Sequence, residues 1–175
     1  MVDDIIAPNL SVVFIGYNPS LKTAQTGHHF AGPGNLFWAL LADSELTPHR
    51  LLPEQDRLLL VWKLGIINLV DRPTAGSSDL SRAEMENGVN ALECKLKKWQ
   101  PDVACFLGKD IFRQYQKLPT SRSIAWGLQE PSSSRPLHFV APNPSRRSTV
   151  AYGLRLRYFR ELKNLAFWGV NPRPS

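Results

Sequence analysis

The spacing of apolar residues along this chain changes period several times, and the changes mark its elements. Four short runs rich in Val, Ile and Phe read as strands: Ser11 to Ile15, Ile66 to Val70, Val103 to Leu107 and His138 to Ala141. They are continuously apolar, the pattern of a sheet covered on both faces. Between them the period lengthens to that of helices. Asn35 to Asp43 pairs Leu36 with Leu40 and Phe37 with Leu41. Pro53 to Leu64 is a second helical segment with Gly65 as its left-handed stop, and Asp110 to Tyr115 is a shorter one. The clearest helix opens at Ser81-Arg-Ala-Glu84, a capping box, and continues through Met85, Val89, Leu92, Leu96 and Trp99 in steps of 4, 3, 4 and 3. The last runs from Ala151 to Phe167 with Tyr158, Phe159, Leu162, Leu165 and Ala166 facing inward. Strands alternating with helices imply parallel pairing through crossovers. The expected fold is α/β, a three-layer α/β/α sandwich around a small, mainly parallel sheet, built as one domain over residues 1–175. The Pro-, Gly- or Ser-rich stretches Asn18 to Asn35, Arg72 to Ser81 and Pro131 to Pro136 read as loops, none long enough for an interdomain linker.

Composition narrows the class without naming a function. With 43% apolar and 21% charged residues the chain has the balance of a soluble globular protein. No apolar stretch is long enough for a membrane span, and the start, MVDDIIAPNL, lacks the features of a secretory signal. Cys94 and Cys105 form neither a metal spacing nor a disulfide framework; they read as two buried free thiols of an intracellular protein. Charge is more informative. From Arg135 onward the chain carries eight basic residues against one acid, Glu161, whereas the rest nets −1. Such asymmetry fits a polyanion, most often nucleic acid, or else a solvated basic helix face.

Two strands end alike, in VFIGYNPS (Val13 to Ser20) and FVAPNPS (Phe139 to Ser145). In open α/β sheets, ligands bind beyond the carboxyl ends of strands, so both turns are expected to face one ligand. Gly16 permits backbone geometry that other residues resist, and Pro19 restricts Asn18 to extended conformations. Asn18 is then held stiffly just past its strand with its amide free to point into the crevice. An amide orients a water but deprotonates it poorly, which suits a reaction whose leaving group departs first. The same string also serves as a plain structural turn.

The strings GYNPS, TGHHFAGPGNLFW, GIINLVDRPTAGSSDLS, WQPDVACFLGK, WGLQ and FVAPNPS, in this order over nearly all of residues 3–165, resemble the mismatch-specific uracil/thymine DNA glycosylases, family 2 of the uracil-DNA glycosylase superfamily. The resemblance implies the same α/β/α sandwich and hydrolysis of the N-glycosidic bond of uracil, and sometimes thymine, opposite guanine. It implies that Asn18 positions the attacking water and that the flipped base stacks on Phe30, for which a core Phe is the alternative. The Tyr17 and Phe30 N–H groups would bond the base carbonyls, and Asn68, otherwise a structural strand-end residue, would contact the pyrimidine edge. Gly16 and His29 join the substrate-binding set, although His29 also fits a plain loop position. Ser20 stands where the family typically has Gly and Thr23 where relatives have Ala or Ser, which crowds the thymine methyl and favours uracil.

An enzyme of this kind extrudes its target base from the duplex. The resemblance gives that task to NPSRRST: Asn143, Ser145, Arg146, Arg147 and Ser148 as DNA-binding residues, with Arg147 as the wedge and Arg146 on phosphate or guanine. Lys109 is counted with them, and Arg155 and Lys163 of the following helix are expected to extend the basic surface. No cofactor is expected. The four histidines lack companions for a metal site, two cysteines are too few for an iron–sulfur cluster, and Gly108-Lys109 is no P-loop. Without a clear Schiff-base lysine the enzyme is expected to be monofunctional. The expected partner is double-stranded DNA with G·U or G·T mismatches, no membrane is involved, and a monomer fits a lesion without symmetry. The compartment is the cytoplasm, at the nucleoid, in a bacterium and the nucleus in a eukaryote. Two other classes remain open on the residues alone: a non-catalytic DNA-binding module and a small-molecule nucleotide-binding protein.

Overall fold

The structure is a computed structural model that describes residues 2–129 and 135–169; residues 131–134 of the third expected loop and Arg173 of the basic segment lie outside them. Its centre is a five-stranded sheet in the order β2-β1-β3-β5-β4. The strands are β1 (Val12–Gly16), β2 (Leu64–Asn68), β3 (Val103–Leu107), β4 (Gly127–Leu128) and β5 (Leu137–Ala141). β1 pairs in parallel with β2 and β3, β3 with β5, and β4 closes one edge antiparallel to β5. The expected mainly parallel sandwich is thus present. The two-residue edge strand β4 is an addition, too short to leave a sequence pattern.

Alternate side chains of these apolar strands serve two cores. Val12, Phe14, Ile66, Cys105 and Phe139 face one layer, made by α2 (Phe37–Asp43), α5 (Tyr152–Asn164) and a 3-10 helix over Pro53–Trp62. Val13, Ile15, Ile67, Phe106 and Val140 face the other, made by α3 (Arg82–Trp99) and α4 (Lys109–Tyr115). The capping box forms as expected: Ser81 Oγ accepts from the Glu84 N–H at 3.2 Å, and Glu84 accepts from the Ser81 N–H at 2.8 Å.

Several boundaries differ from the sequence reading. The segment from Pro53 is a 3-10 helix that ends at Trp62, and its left-handed stop is Lys63 (φ 57°), whereas Gly65 lies inside β2. The expected loop from Asn18 to Asn35 contains a helix, α1 (Leu21–Thr26), capped by Ser20 and closed by Gly27 at φ 76°. α5 begins at Tyr152 and gives way to a π-helical turn over Leu165–Gly169. Cys105 is buried as expected, but Cys94 is exposed. Among the described residues no helix is long and apolar enough to cross a membrane.

Candidate active site

The carboxyl ends of β1, β2, β3 and β5 open into one cleft of about 650 Å³, and both Asn-Pro-Ser turns line it. β1 lies between β2 and β3, so the connections leaving β1 and β2 run in opposite directions along the sheet. This is the switch-point geometry at which open α/β sheets hold ligands. Three cations, Lys22, Arg146 and Arg147, line the cleft and no acidic residue does, among the described residues.

At the end of β1, Asn18 is pinned, and more tightly than its sequence implies. Its Nδ2 donates to the Arg72 carbonyl at 2.8 Å and to Thr74 Oγ1 at 2.7 Å. Thr74 Oγ1 in turn donates to the Gly76 carbonyl at 2.7 Å. The expected free amide is therefore half free: both N–H groups are committed, and Oδ1 is the atom left to accept from a water. Arg72 is itself clamped, by Glu84 at 2.5 Å and by the Asp79 carbonyl at 2.9 Å. That clamp and its hydrogen bonds from Ser81 hold the Glu84 carboxyl down at about 2.

The glycine before this turn serves a different purpose from the one expected. Gly16 is not among the residues of positive φ. A Cβ there would stand 3.3 Å from Asn68 Oδ1, so the missing side chain makes room for the amide of Asn68, the last residue of β2. Asn68 is 7% exposed and lines the cleft, as does Tyr17, whose ring packs into the α3/α4 core with its hydroxyl pKa pushed up by burial. Neither the Tyr17 nor the Phe30 N–H donates to a backbone carbonyl among the described residues.

Ser20 and Thr23 are bonded to each other. Ser20 Oγ accepts from the Thr23 N–H and donates to Thr23 Oγ1, both at 3.1 Å, so Ser20 doubles as the cap of α1. His29 is buried: its N–H donates to Asp56 Oδ2 at 3.0 Å and its Nε2 to the Asp3 carbonyl at 2.9 Å. A carbonyl only accepts, so Nε2 carries the hydrogen. Burial lowers the His29 pKa and keeps the ring neutral. Phe30 adopts φ 53°, a costly conformation for a bulky residue, and stacks on Phe37 with centroids 4.0 Å apart. Phe37 packs edge-on against Phe14 of β1, so this half-exposed ring is anchored in the core.

The second turn is self-braced. Asn143 Oδ1 accepts from the Ser145 N–H at 2.8 Å, and Ser145 Oγ accepts from the Arg147 N–H at 3.2 Å. Arg146 lies along one lip, with its Cδ 2.9 Å from where a Gly34 Cβ would be. Arg147 reaches the other lip, with Nη1 2.9 Å from the corresponding point on Gly76. Ser148 also lines the cleft.

Three expected placements differ. Arg155 is not on the surface: it is 3% exposed and bonded to loop carbonyls. Lys163 pairs with Glu45. Lys109 does not line the cleft; its Nζ sits 4.4 Å from the centre of the Trp126 ring. Thr74, Arg72 and Lys22 are functional candidates that the sequence reading missed. Thr74 carries no local signal, because its partner lies 56 residues away. Among the described residues no group of three or more His, Cys, Asp or Glu side chains is placed to hold a metal ion.

Comparison with known proteins identifies the family and the fold. The sequence model of the uracil DNA glycosylase superfamily matches residues 4–166. The fold is similar to the solution NMR structure of a Methanosarcina acetivorans protein provisionally assigned as a uracil DNA glycosylase. That likeness has a TM-score of 0.56 at 16% identity, over 93% of this chain and 96% of the other.

Proposed function

The chain belongs to the uracil DNA glycosylase superfamily, a class of hydrolases that act on DNA, and from that premise we propose that it is of the mismatch-specific type, family 2. It removes uracil opposite guanine in duplex DNA and leaves an abasic site. The observation that carries this reading is Asn18, a cleft residue whose two amide hydrogens are spent on Arg72 and Thr74, so that its oxygen is the amide atom left to bond a water.

The extruded pyrimidine stacks on Phe30, with the Asn68 amide at its edge. As the N-glycosidic bond breaks, its electron pair passes to the base. The Tyr17 and Phe30 N–H groups stabilise the charge that develops on the base oxygens; fixed donors of this kind act as an oxyanion hole does. Asn18 Oδ1 accepts from a water and aims its oxygen at C1′ of the cationic sugar. The water's surplus proton leaves after attack, because an amide is a weak base; general-base catalysis, worth about 10²–10⁴-fold, is largely forgone. Arg146 and Arg147 enter the gap left by the base and contact phosphate or the widowed guanine. Lys22, the lysine that lines the cleft, directs its Nζ to Gln25 Oε1 at 3.3 Å. The proposed hydrolysis uses water alone, without a Schiff base, so the enzyme is monofunctional.

The linked Ser20 and Thr23 crowd the region where a 5-methyl would sit, so uracil is favoured over thymine. Single-turnover release from G·U, A·U and G·T duplexes, with and without alkali, tests the proposal. The expected outcome is fast release from G·U, much slower release from G·T, and strand breakage only after alkali. Equal rates on G·U and G·T would overturn the specificity, and breakage without alkali the monofunctional chemistry.

A further inference from the structure

Arg155 occupies a position where sequence patterning calls for an apolar residue. It lies four residues before Phe159 and seven before Leu162, on the buried stripe of α5, and is 3% exposed. Among the described residues no carboxylate is hydrogen-bonded or ion-paired to it. Its guanidinium is spent on backbone: Nε donates to the Val150 carbonyl at 2.8 Å, Nη2 to Ser148 at 2.7 Å and Nη1 to Ser145 at 3.3 Å. Burial lowers its pKa, yet a guanidinium stays protonated in a protein. Burying a charge without a counter-ion is unfavourable, and a Leu or Met would pack there without that cost.

The carbonyls it grips belong to the turn that carries Arg146 and Arg147. The turn's own bonds are local, the Ser148 N–H to the Ser145 carbonyl at 3.1 Å and the Ser145 and Arg147 N–H groups to the Asn143 and Ser145 side chains, and the Arg155 guanidinium ties it to α5. We propose that Arg155 is a positioning residue for duplex recognition: from inside the protein it fixes the backbone from which Arg146 and Arg147 reach over the cleft. This rests on the reading of that turn as the DNA-contacting loop. A loop braced before binding loses less freedom on association, so its bracing is read in affinity. The rate of bond breakage once the base is bound does not depend on it.

Full-length Arg155→Met and Arg155→Lys proteins test this beside wild type. The readouts are affinity for a duplex with a tetrahydrofuran abasic analogue opposite guanine, uracil release at saturating enzyme from a G·U duplex, and thermal midpoint. The Met variant is expected to bind the duplex about tenfold more weakly or worse, with its saturating release rate within about threefold of wild type. The Lys variant, with one compact head for three carbonyls, should fall between. Unchanged duplex affinity overturns the proposal. So does a saturating release rate that falls as far as the affinity does, which marks Arg155 as a general stabiliser. Should the Met protein not fold, Arg155→Gln is judged by the same criteria. If wild type itself releases no uracil from the G·U duplex, the glycosylase reading fails, and the duplex-affinity comparison still decides the role of Arg155.

Discussion

Asn18 stands just past β1, and how it spends its amide depends on Thr74, in a different loop. Thr74 accepts from Asn18 and donates to Gly76, an arrangement that needs a hydroxyl. Thr74→Val keeps the shape and removes the acceptor, leaving Asn18 tied to Arg72 alone. Base release is expected to slow by about 10- to 100-fold with duplex affinity little changed, since a small misplacement of a positioning group has that effect; single-turnover kinetics and a binding isotherm together check it. Arg155 was visible in principle, because its spacing to Phe159 and Leu162 puts it on the inward stripe. Counting charge by segment alone sent it to the surface. Cys94 was misplaced for a similar reason: a thiol is usually buried, but on α3 it is exposed.

Among the elements, long periodic ones were readable and short ones were not. α3 has a capping box and an apolar repeat from Met85 to Trp99, and the structure forms it as a helix of eighteen residues. α1 has six residues and β4 has two, too few for any period to show. The stop at Lys63 was missed because glycine is the usual left-handed residue, yet Gly65 belongs to β2. Close packing also escapes pattern reading. α3 lies so near the end of β2 at Gly88 that a Cβ there would be 2.3 Å from the Leu69 carbonyl oxygen. Gly88→Ala must push the helix away, and destabilisation of roughly 1–3 kcal/mol is expected, as for other overpacked sites. Thermal melting checks it; an unchanged or raised midpoint contradicts the close approach. Since Leu69 follows Asn68, the same variant is expected to reduce uracil release even where it stays folded.

For the molecule as a whole, the basic asymmetry of the segment from Arg135 on fits a polyanion or a solvated helix face, but it overstates how much of that charge faces outward. Of the basic residues from Arg135 on, Arg135 pairs with Asp102, Lys163 with Glu45, and Arg155 is internal. Arg146 and Arg147 are left at the cleft, where no acid opposes them among the lining residues. Stability should also depend on pH through two imidazoles, His29 buried and His138 half-buried. Burial lowers the pKa of both His29 and His138 in the folded protein. The unfolded chain then takes up protons first, so their contribution is complete above about pH 6.5 and is lost as pH falls below it. The thermal midpoint is expected to drop between about pH 7.5 and 5.5, and a flat profile would contradict neutral rings in the folded protein. At the centre of the proposed function, Asn18 aims the water that completes base release. Its most direct test is single-turnover uracil release by Asn18→Ala, measured beside the affinity of the same protein for a G·U duplex. The account predicts that release collapses by at least about 100-fold while affinity stays within a few-fold of wild type; release at the wild-type rate would contradict it.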